Sequence, residues 1–159
     1  MARLTRRVAA TSTAIVAVLA LAACGGGTST KDKNAYARKV NAAQQRFAST
    51  VSTVDQASGS KSSIAVQQRT LQRFKRAIDG VVGDLRRIDA PGEVAKEHDR
   101  LVAVMQGFDN DIGQASDALR NPTTTAIAQA KQRVGLATRS VNGKVNAAIS
   151  AINVKLKGK

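Results

Sequence analysis

The stretch PGEVAKEHDRLVAVMQGFDNDIGQASDALR, residues 91–120, carries the most regular apolar pattern in the chain. Its predicted inward positions are Val94, His98, Leu101, Met105, Phe108, Ile112, Ala115 and Leu119. They follow one another at alternating steps of four and three, which return to one side of an α-helix because the helix turns once in about 3.6 residues. The stretch therefore predicts a long helix with one continuous buried stripe. Pro91 is expected in its first turn, with Glu93 beside the positive end of the helix dipole.

Three further segments, residues 34–57, 63–89 and 122–156, show the same period. Their predicted buried stripes are, in chain order, Tyr36, Val40, Ala43, Phe47, Val51 and Val54; then Ile64, Leu71, Phe74, Ile78, Val81, Leu85 and Ile88; then Ile127, Val134, Val141, Val145, Ile152 and Leu156. Each segment is long enough for six or more helical turns. The sequence thus predicts four long amphipathic helices.

Short polar turns separate these segments and indicate how the helices are arranged. Ser62 or Ser63 is the expected N-cap of the second helix, and Asn121 that of the fourth, with Pro122 at its first position. Short connections place neighbouring helices antiparallel. The pattern therefore predicts an all-α fold, an up-down-up-down four-helix bundle formed by residues 34–159.

Glycines inside the predicted helices bear on how tightly such a bundle packs. They are Gly80, Gly83, Gly107, Gly113, Gly135 and Gly143. Each costs about 1 kcal/mol relative to alanine in a helix interior, and many predicted inward positions carry alanine. Thin packing and an elongated shape are therefore expected, and an extended helical hairpin or an oligomer remain alternatives to a compact monomer.

The amino-terminal segment has the three parts of a secretory signal peptide. Residues 1–7 are positively charged, residues 8–23 are apolar, and small residues precede Cys24. The apolar run is shorter than the ~20 residues that a spanning helix usually needs. The sequence predicts a cleaved leader over residues 1–23; an uncleaved anchor helix is the alternative.

Leu21, Ala22, Ala23 and Cys24 resemble the lipobox of bacterial lipoproteins. The resemblance implies a diacylglyceryl group on the Cys24 sulfur, cleavage after Ala23, and attachment to the extracytoplasmic face of the cell membrane. Residues 24–33 then form the lipidated end and a flexible tether, whose nine residues after the cysteine have a mean reach of about 16 Å. Arg6 and Arg7 are also similar to a twin-arginine signal, so the export route stays open.

A second resemblance covers about twenty residues around the only histidine. Its residues are Leu85, Ile88, Pro91, Glu93, His98 and Leu101, and the pattern resembles small actinobacterial helical lipoproteins of unassigned function. Gly92 departs from it, since a second proline is expected nearby. The resemblance implies no catalytic residue and supports only the fold and the kind of source.

The strongly basic composition indicates an anionic partner. The chain has a formal net charge of +14; without Arg3, Arg6 and Arg7, 22 basic and 11 acidic residues remain, for a net charge near +11. Such a balance attracts polyanions. The predicted binding residues, on the outward face of the second helix, are Arg69, Arg73, Arg76 and Arg87, with Lys75 and Arg86 widening the strip. They are expected to meet anionic lipid or a cell-wall polymer, with a merely solvated face as the alternative.

Nucleic acid is disfavoured as the partner. Base stacking needs exposed aromatic side chains, whereas Tyr36, Phe47, Phe74 and Phe108 are all assigned to the core. The predicted leader also exports the chain away from cytoplasmic nucleic acid. No protein partner is identified by any motif.

Residues capable of catalysis or metal binding do not form a known signature. One cysteine excludes an internal disulfide, and His98 has no partner at metal-ligand spacing, so packing near the helix start is its expected role. Asp109 and Asp111 resemble a calcium loop only in part, because the terminal glutamate is missing.

The sequence therefore predicts a lipid-anchored cell-envelope lipoprotein without catalysis, metal or cofactor, which acts as a binding or scaffolding module through its basic helical face. The alternative is a carrier or sensor accessory that holds a lipid or another apolar ligand in a groove between helices.

Overall fold

The structure, a computed structural model, describes residues 28–57 and 63–158, with the side chains of residues 53–57 outside the description. The predicted leader, Leu21, Ala22, Ala23 and Cys24 therefore lie outside the described residues, as do the side chain of Val54 and the turn at residues 58–62. The chain forms four α-helices: α1 (Thr30–Ala57), α2 (Ile64–Arg86), α3 (Ala95–Ala118) and α4 (Thr124–Leu156), with a 3₁₀ turn (Gly92–Val94) before α3. No strand occurs in the described ranges, so the predicted all-α class is confirmed.

The four helices pack around one apolar core. Each helix contacts the next along the chain, and α4 also contacts the 3₁₀ turn. Phe47, Val81, Met105 and Val145, one from each helix, line a central void of about 10 Å³. A void of that size holds at most one water molecule. Among the described residues the core is therefore filled, and all four helices contribute to it, unlike in an extended helical hairpin.

The predicted stripes account for most of this core. All eight stripe residues of 91–120 are buried, as predicted. In the other helices four stripe residues are only half-buried: Val51, Ile88, Ile127 and Val134. Ile64 is 38% exposed because it is the first residue of α2 at one end of the bundle. Additional buried positions are Ala37, Val82, Ala130, Ala137 and Ala148. Small side chains thus fill sites that the larger stripe residues leave between the helices.

α1 begins at Thr30, four residues before the expected start, so the end of the predicted tether is helical. Ser29 explains the difference. Its Oγ accepts a hydrogen bond from the Asp32 backbone N–H at 3.2 Å and donates one to the Asp32 carboxylate at 2.6 Å. This reciprocal pair resembles a capping box and satisfies donors that the first helical turn leaves free. The carboxylate also lies in the first turn, where the helix dipole stabilises it.

α4 begins later than expected. The prediction that Asn121 caps this helix with Pro122 at its first position is wrong. Thr123 is the N-cap, with extended backbone (φ −98°, ψ 162°), and its Oγ accepts from the Ala126 N–H at 3.1 Å. Threonine caps a helix nearly as well as asparagine, and the side-chain bond forms from position 123.

Pro91 lies before a 3₁₀ turn rather than in the first turn of α3. The Val94 N–H donates to the Pro91 carbonyl oxygen at 2.9 Å, and the α-helix begins only at Ala95. The predicted N-cap of α2 is confirmed for Ser63, whose Oγ accepts from the Val66 N–H at 3.4 Å.

The helix glycines do not lie among the buried core residues. All six lie at exposed or half-buried positions. A Cβ atom added at Gly80, Gly107 or Gly143 would meet nothing within 4 Å. Gly113 is different, because its added Cβ would lie 3.3 Å from Cε of Lys75, whose side chain crosses it from α2.

Candidate functional site

The predicted basic residues of α2 form a row along its outer side. Arg69, Arg73 and Arg76 are exposed, and Arg87 is the C-cap residue of the helix. Because a helix rises 1.5 Å per residue, the row is about 27 Å long from Arg69 to Arg87. We call Arg69, Arg73 and Arg76 the arginine row, since the fourth residue has different surroundings.

Arg87 is engaged by an acidic side chain. Its guanidinium pairs with the Asp84 carboxylate, which also pairs with Arg46 of α1. Neither Arg73 nor Arg76 forms an ion pair with a side chain of residues 28–52 or 63–158, and the Arg69 Nε donates to the Ala65 carbonyl oxygen at 3.3 Å. The structure therefore separates Arg87 from the arginine row, whose charges have no acidic partner in the described ranges.

Lys75 does not widen the basic strip, because two carboxylates neutralise it. Its Nζ lies 3.0 Å from Asp79 of its own helix and 3.2 Å from Asp109 of α3. Burial lowers the pKa of Lys75, but the hydrogen bonds and charges of these carboxylates outweigh it and raise the pKa overall. Burial also raises the pKa of Asp109 above its ordinary value, against the opposing effect of Lys75.

The two aspartates that resemble part of a calcium loop face different partners. Asp109 binds Lys75, and Asp111 lies 3.9 Å from Arg133 of α4. Within the described ranges no group of three or more His, Cys, Asp or Glu side chains could hold a metal ion. The two carboxylates instead join α3 to α2 and to α4.

His98 is a buried link between three helices. It is 5% exposed; its Nδ1 lies 3.1 Å from the Tyr36 hydroxyl of α1, and its Nε2 lies 3.1 Å from the Leu85 carbonyl oxygen of α2. A carbonyl only accepts, so Nε2 carries the proton, and Nδ1 accepts from the tyrosine hydroxyl. Burial, with a smaller contribution from the charge of Glu97, raises the pKa of Tyr36, which keeps its hydroxyl protonated and able to donate.

An ion pair beside this link also attaches α1 to the 3₁₀ turn. Lys33 is 9% exposed, and its Nζ lies 2.8 Å from the Glu93 carboxylate. The sequence patterns did not identify this pair, because Lys33 falls within the predicted tether. The capping box pattern at Ser29 and Asp32 is the signal that could have placed Lys33 on a helix.

Membrane attachment is not visible in the described helices, none of which is long and apolar enough to cross a bilayer. The predicted lipidation residue, Cys24, lies six positions before the start of α1. No family model matches the chain, and no curated protein or solved structure is significantly similar to it.

Proposed function

We propose that the protein is a lipid-anchored, non-catalytic module of the bacterial cell envelope that binds an anionic partner through the arginine row. The observation that carries the proposal is the exposure of three arginines on one side of α2 without acidic partners in the described ranges. Arginine forms paired hydrogen bonds with phosphate and carboxylate groups. Near an anionic membrane surface each such residue contributes about 1 kcal/mol.

The proposed anchor is Cys24, on the extracytoplasmic face, after export and removal of residues 1–23. Its support is the lipobox resemblance together with the position of α1. Six residues, from Cys24 to Ser29, precede the helix. Even fully extended, six residues reach at most about 22 Å, so the bundle would stay close to the lipid surface. The tether is then shorter than the one expected from sequence alone.

Intact mass measurement of the protein extracted from its native membrane tests the anchor. We expect a mass equal to residues 24–159 plus acyl chains, and loss of that species in a Cys24→Ala variant. Two or more acyl chains make membrane attachment stable, whereas one is marginal. An unmodified full-length mass would contradict both the cleavage and the lipidation.

Charge reversal of the arginine row tests the binding face. Replacing Arg69, Arg73 and Arg76 by glutamate should weaken binding to phosphatidylglycerol vesicles at low salt by more than a hundredfold, since about 1 kcal/mol is lost at each position. Vesicle co-sedimentation measures this.

The matched control replaces Lys131, Arg139 and Lys155, three exposed residues of α4, by glutamate. This variant changes the net charge by the same amount as the first. Comparing the two therefore distinguishes binding through the arginine row from general electrostatic attraction. An equal loss of binding in both triple variants would overturn the arginine row as the binding face.

We also propose that the four helices alternate in direction, as an up-down-up-down bundle. Support comes from pairs of neighbouring residues whose numbers rise along one helix and fall along the next. For α1 against α2 and the 3₁₀ turn after it, the pairs are Lys33 with Glu93 and Arg46 with Asp84. For α2 against α3 they are Lys75 with Asp109 and Leu85 with His98. For α3 against α4 they are Arg100 with Lys144, which line one cleft, and Asp111 with Arg133. Short connections between the helices favour the same arrangement.

A further inference from the structure

The outer surface between α3 and α4 carries a cleft that the arginine row does not use. The cleft has a volume of about 380 Å³, within the range of small-molecule sites, although it is open to solvent. Its lining includes Ala103, Val104 and Phe108 from α3 and Ala137 and Val141 from α4. We call it the α3–α4 cleft.

The floor of the α3–α4 cleft is apolar and already part of the core. Phe108, Ala137 and Val141 are each buried, and Val104 is half-buried beside them. A Cβ atom added at Gly107, which also lines the cleft, would meet nothing within 4 Å. The open volume above the floor is therefore accessible. Because the floor residues are already nearly out of water, the surface that an apolar ligand removes from water there is mostly the ligand's own.

Two cations stand together at one end of this apolar floor. Arg100 of α3 and Lys144 of α4 both line the cleft, both are exposed, and neither forms an ion pair with a side chain of residues 28–52 or 63–158. At the opposite end of the cleft the charge of Asp111 is balanced by Arg133, whose guanidinium lies 3.9 Å from the Asp111 carboxylate. The charge of the cleft is thus polarised along its length.

From this arrangement we infer that the α3–α4 cleft binds a single-chain anionic amphiphile, a long-chain carboxylate, with its acyl chain on the apolar floor and its carboxylate between Arg100 and Lys144. An acyl chain matches the floor, and one terminal anion matches two cations at one end. The central void lined by all four helices, at about 10 Å³, is too small for such a ligand. The inference is independent of the Cys24 anchor and of the arginine row.

Photolabelling locates the ligand. The probe is palmitic acid carrying a diazirine on its chain, used with the full chain bearing Cys24→Ser so that no attached lipid competes. Trypsin cleaves after Arg100, Arg120 and Lys144, so the α3 wall of the cleft lies in one peptide, residues 101–120. Trypsin also cleaves after Arg133 and Arg139, so the α4 wall lies in two peptides, residues 134–139 and 140–144. We expect saturable labelling of residues 101–120 and of both α4 peptides, displaced by unlabelled palmitate. Labelling confined to other peptides, or labelling that palmitate does not displace, would overturn the inference.

Paired variants test the two chemical features separately. Gly107→Leu should weaken palmitate binding more than tenfold by filling the cleft, whereas Gly80→Leu, at an equally open helix glycine on α2, should leave it unchanged. Lys144→Gln should weaken binding about fivefold, and Lys131→Gln, elsewhere on α4, should not. Equal effects in a variant and its control would refute the assigned position. All four variants keep the arginine row. Their binding to vesicles therefore tests the proposed function independently of palmitate binding in the cleft.

Discussion

Replacing Phe108 by alanine is expected to lower the free energy of unfolding by about 3–5 kcal/mol, the range for a large aromatic side chain lost from a packed core. Phe108 is 3% exposed and contacts two other phenylalanines edge to face. Its ring centroid lies 5.7 Å from that of Phe47 in α1 and 5.7 Å from that of Phe74 in α2. Three helices therefore lose contacts in a single substitution.

The size of this effect follows from what the ring contacts. Phe47 and Phe74 meet it from two other helices, so a shift of one helix alone could not fill the space that alanine leaves. A truncated ring leaves a cavity whose lining loses dispersion contacts as well as apolar burial. Single domains are stable by only about 5–15 kcal/mol, so this variant is expected to be close to unfolding at 37 °C.

Urea denaturation followed by far-UV circular dichroism measures the prediction. The control is Leu136→Ala, which truncates an apolar side chain that is 52% exposed, and whose expected change is within about 0.5 kcal/mol. A loss below 1 kcal/mol for Phe108→Ala would mean that the three rings do not form the centre of the core.

The helical architecture could be predicted from the sequence because apolar periodicity and burial have the same physical origin. The stripe of residues 91–120 is buried throughout, and no tertiary information was needed to find it. Helix ends were less predictable, as Thr123 shows. Two polar residues on either side of Pro122, Asn121 and Thr123, could both cap α4, and the choice depends on backbone angles that one sequence does not reveal.

The charged surface could be predicted only in part, because pairing between helices depends on rotation and register. Outward positions on α2 follow from its period, and the arginine row is exposed as expected. The pairing of Lys75 with Asp109 and of Arg46 with Asp84 joins different helices and does not follow from that period, whereas Asp84 and Arg87, three residues apart on α2, are neighbours by spacing alone. Lys75 crosses to α3 at a place where Gly113 leaves room for it, a fit that requires both helices to be placed first.

These pairings change how the net charge of the chain should be interpreted. Acidic residues are not spread evenly among the basic ones: Asp84 and Asp109 lie between helices, where they neutralise Arg87 and Lys75. The unneutralised cations are then left on outward faces, including the arginine row and the end of the α3–α4 cleft. Pairing at helix boundaries thus concentrates the positive potential in places where a partner can reach it.

His98 is the second residue whose replacement should have a large effect. His98→Ala is expected to lower the free energy of unfolding by about 3–4 kcal/mol, since it removes a buried ring and leaves two buried polar groups without partners. Those groups are the Leu85 carbonyl oxygen and the Tyr36 hydroxyl, each 3.1 Å from a ring nitrogen. Urea denaturation measures the loss, and binding to anionic vesicles should fall only by the fraction of unfolded protein.

A double-mutant cycle with Tyr36→Phe distinguishes this hydrogen-bonded link from simple packing. Tyr36→Phe keeps the ring but leaves His98 Nδ1 without a donor, which should cost about 1–3 kcal/mol. In the double variant the tyrosine hydroxyl and the imidazole are both absent, so the combined loss should be about 1 kcal/mol less than the sum of the single losses. Strict additivity would show that the two side chains stabilise the bundle independently, although they lie in contact. Coupling of the expected sign would mean that the only histidine joins α1 to α3 through a specific buried hydrogen bond.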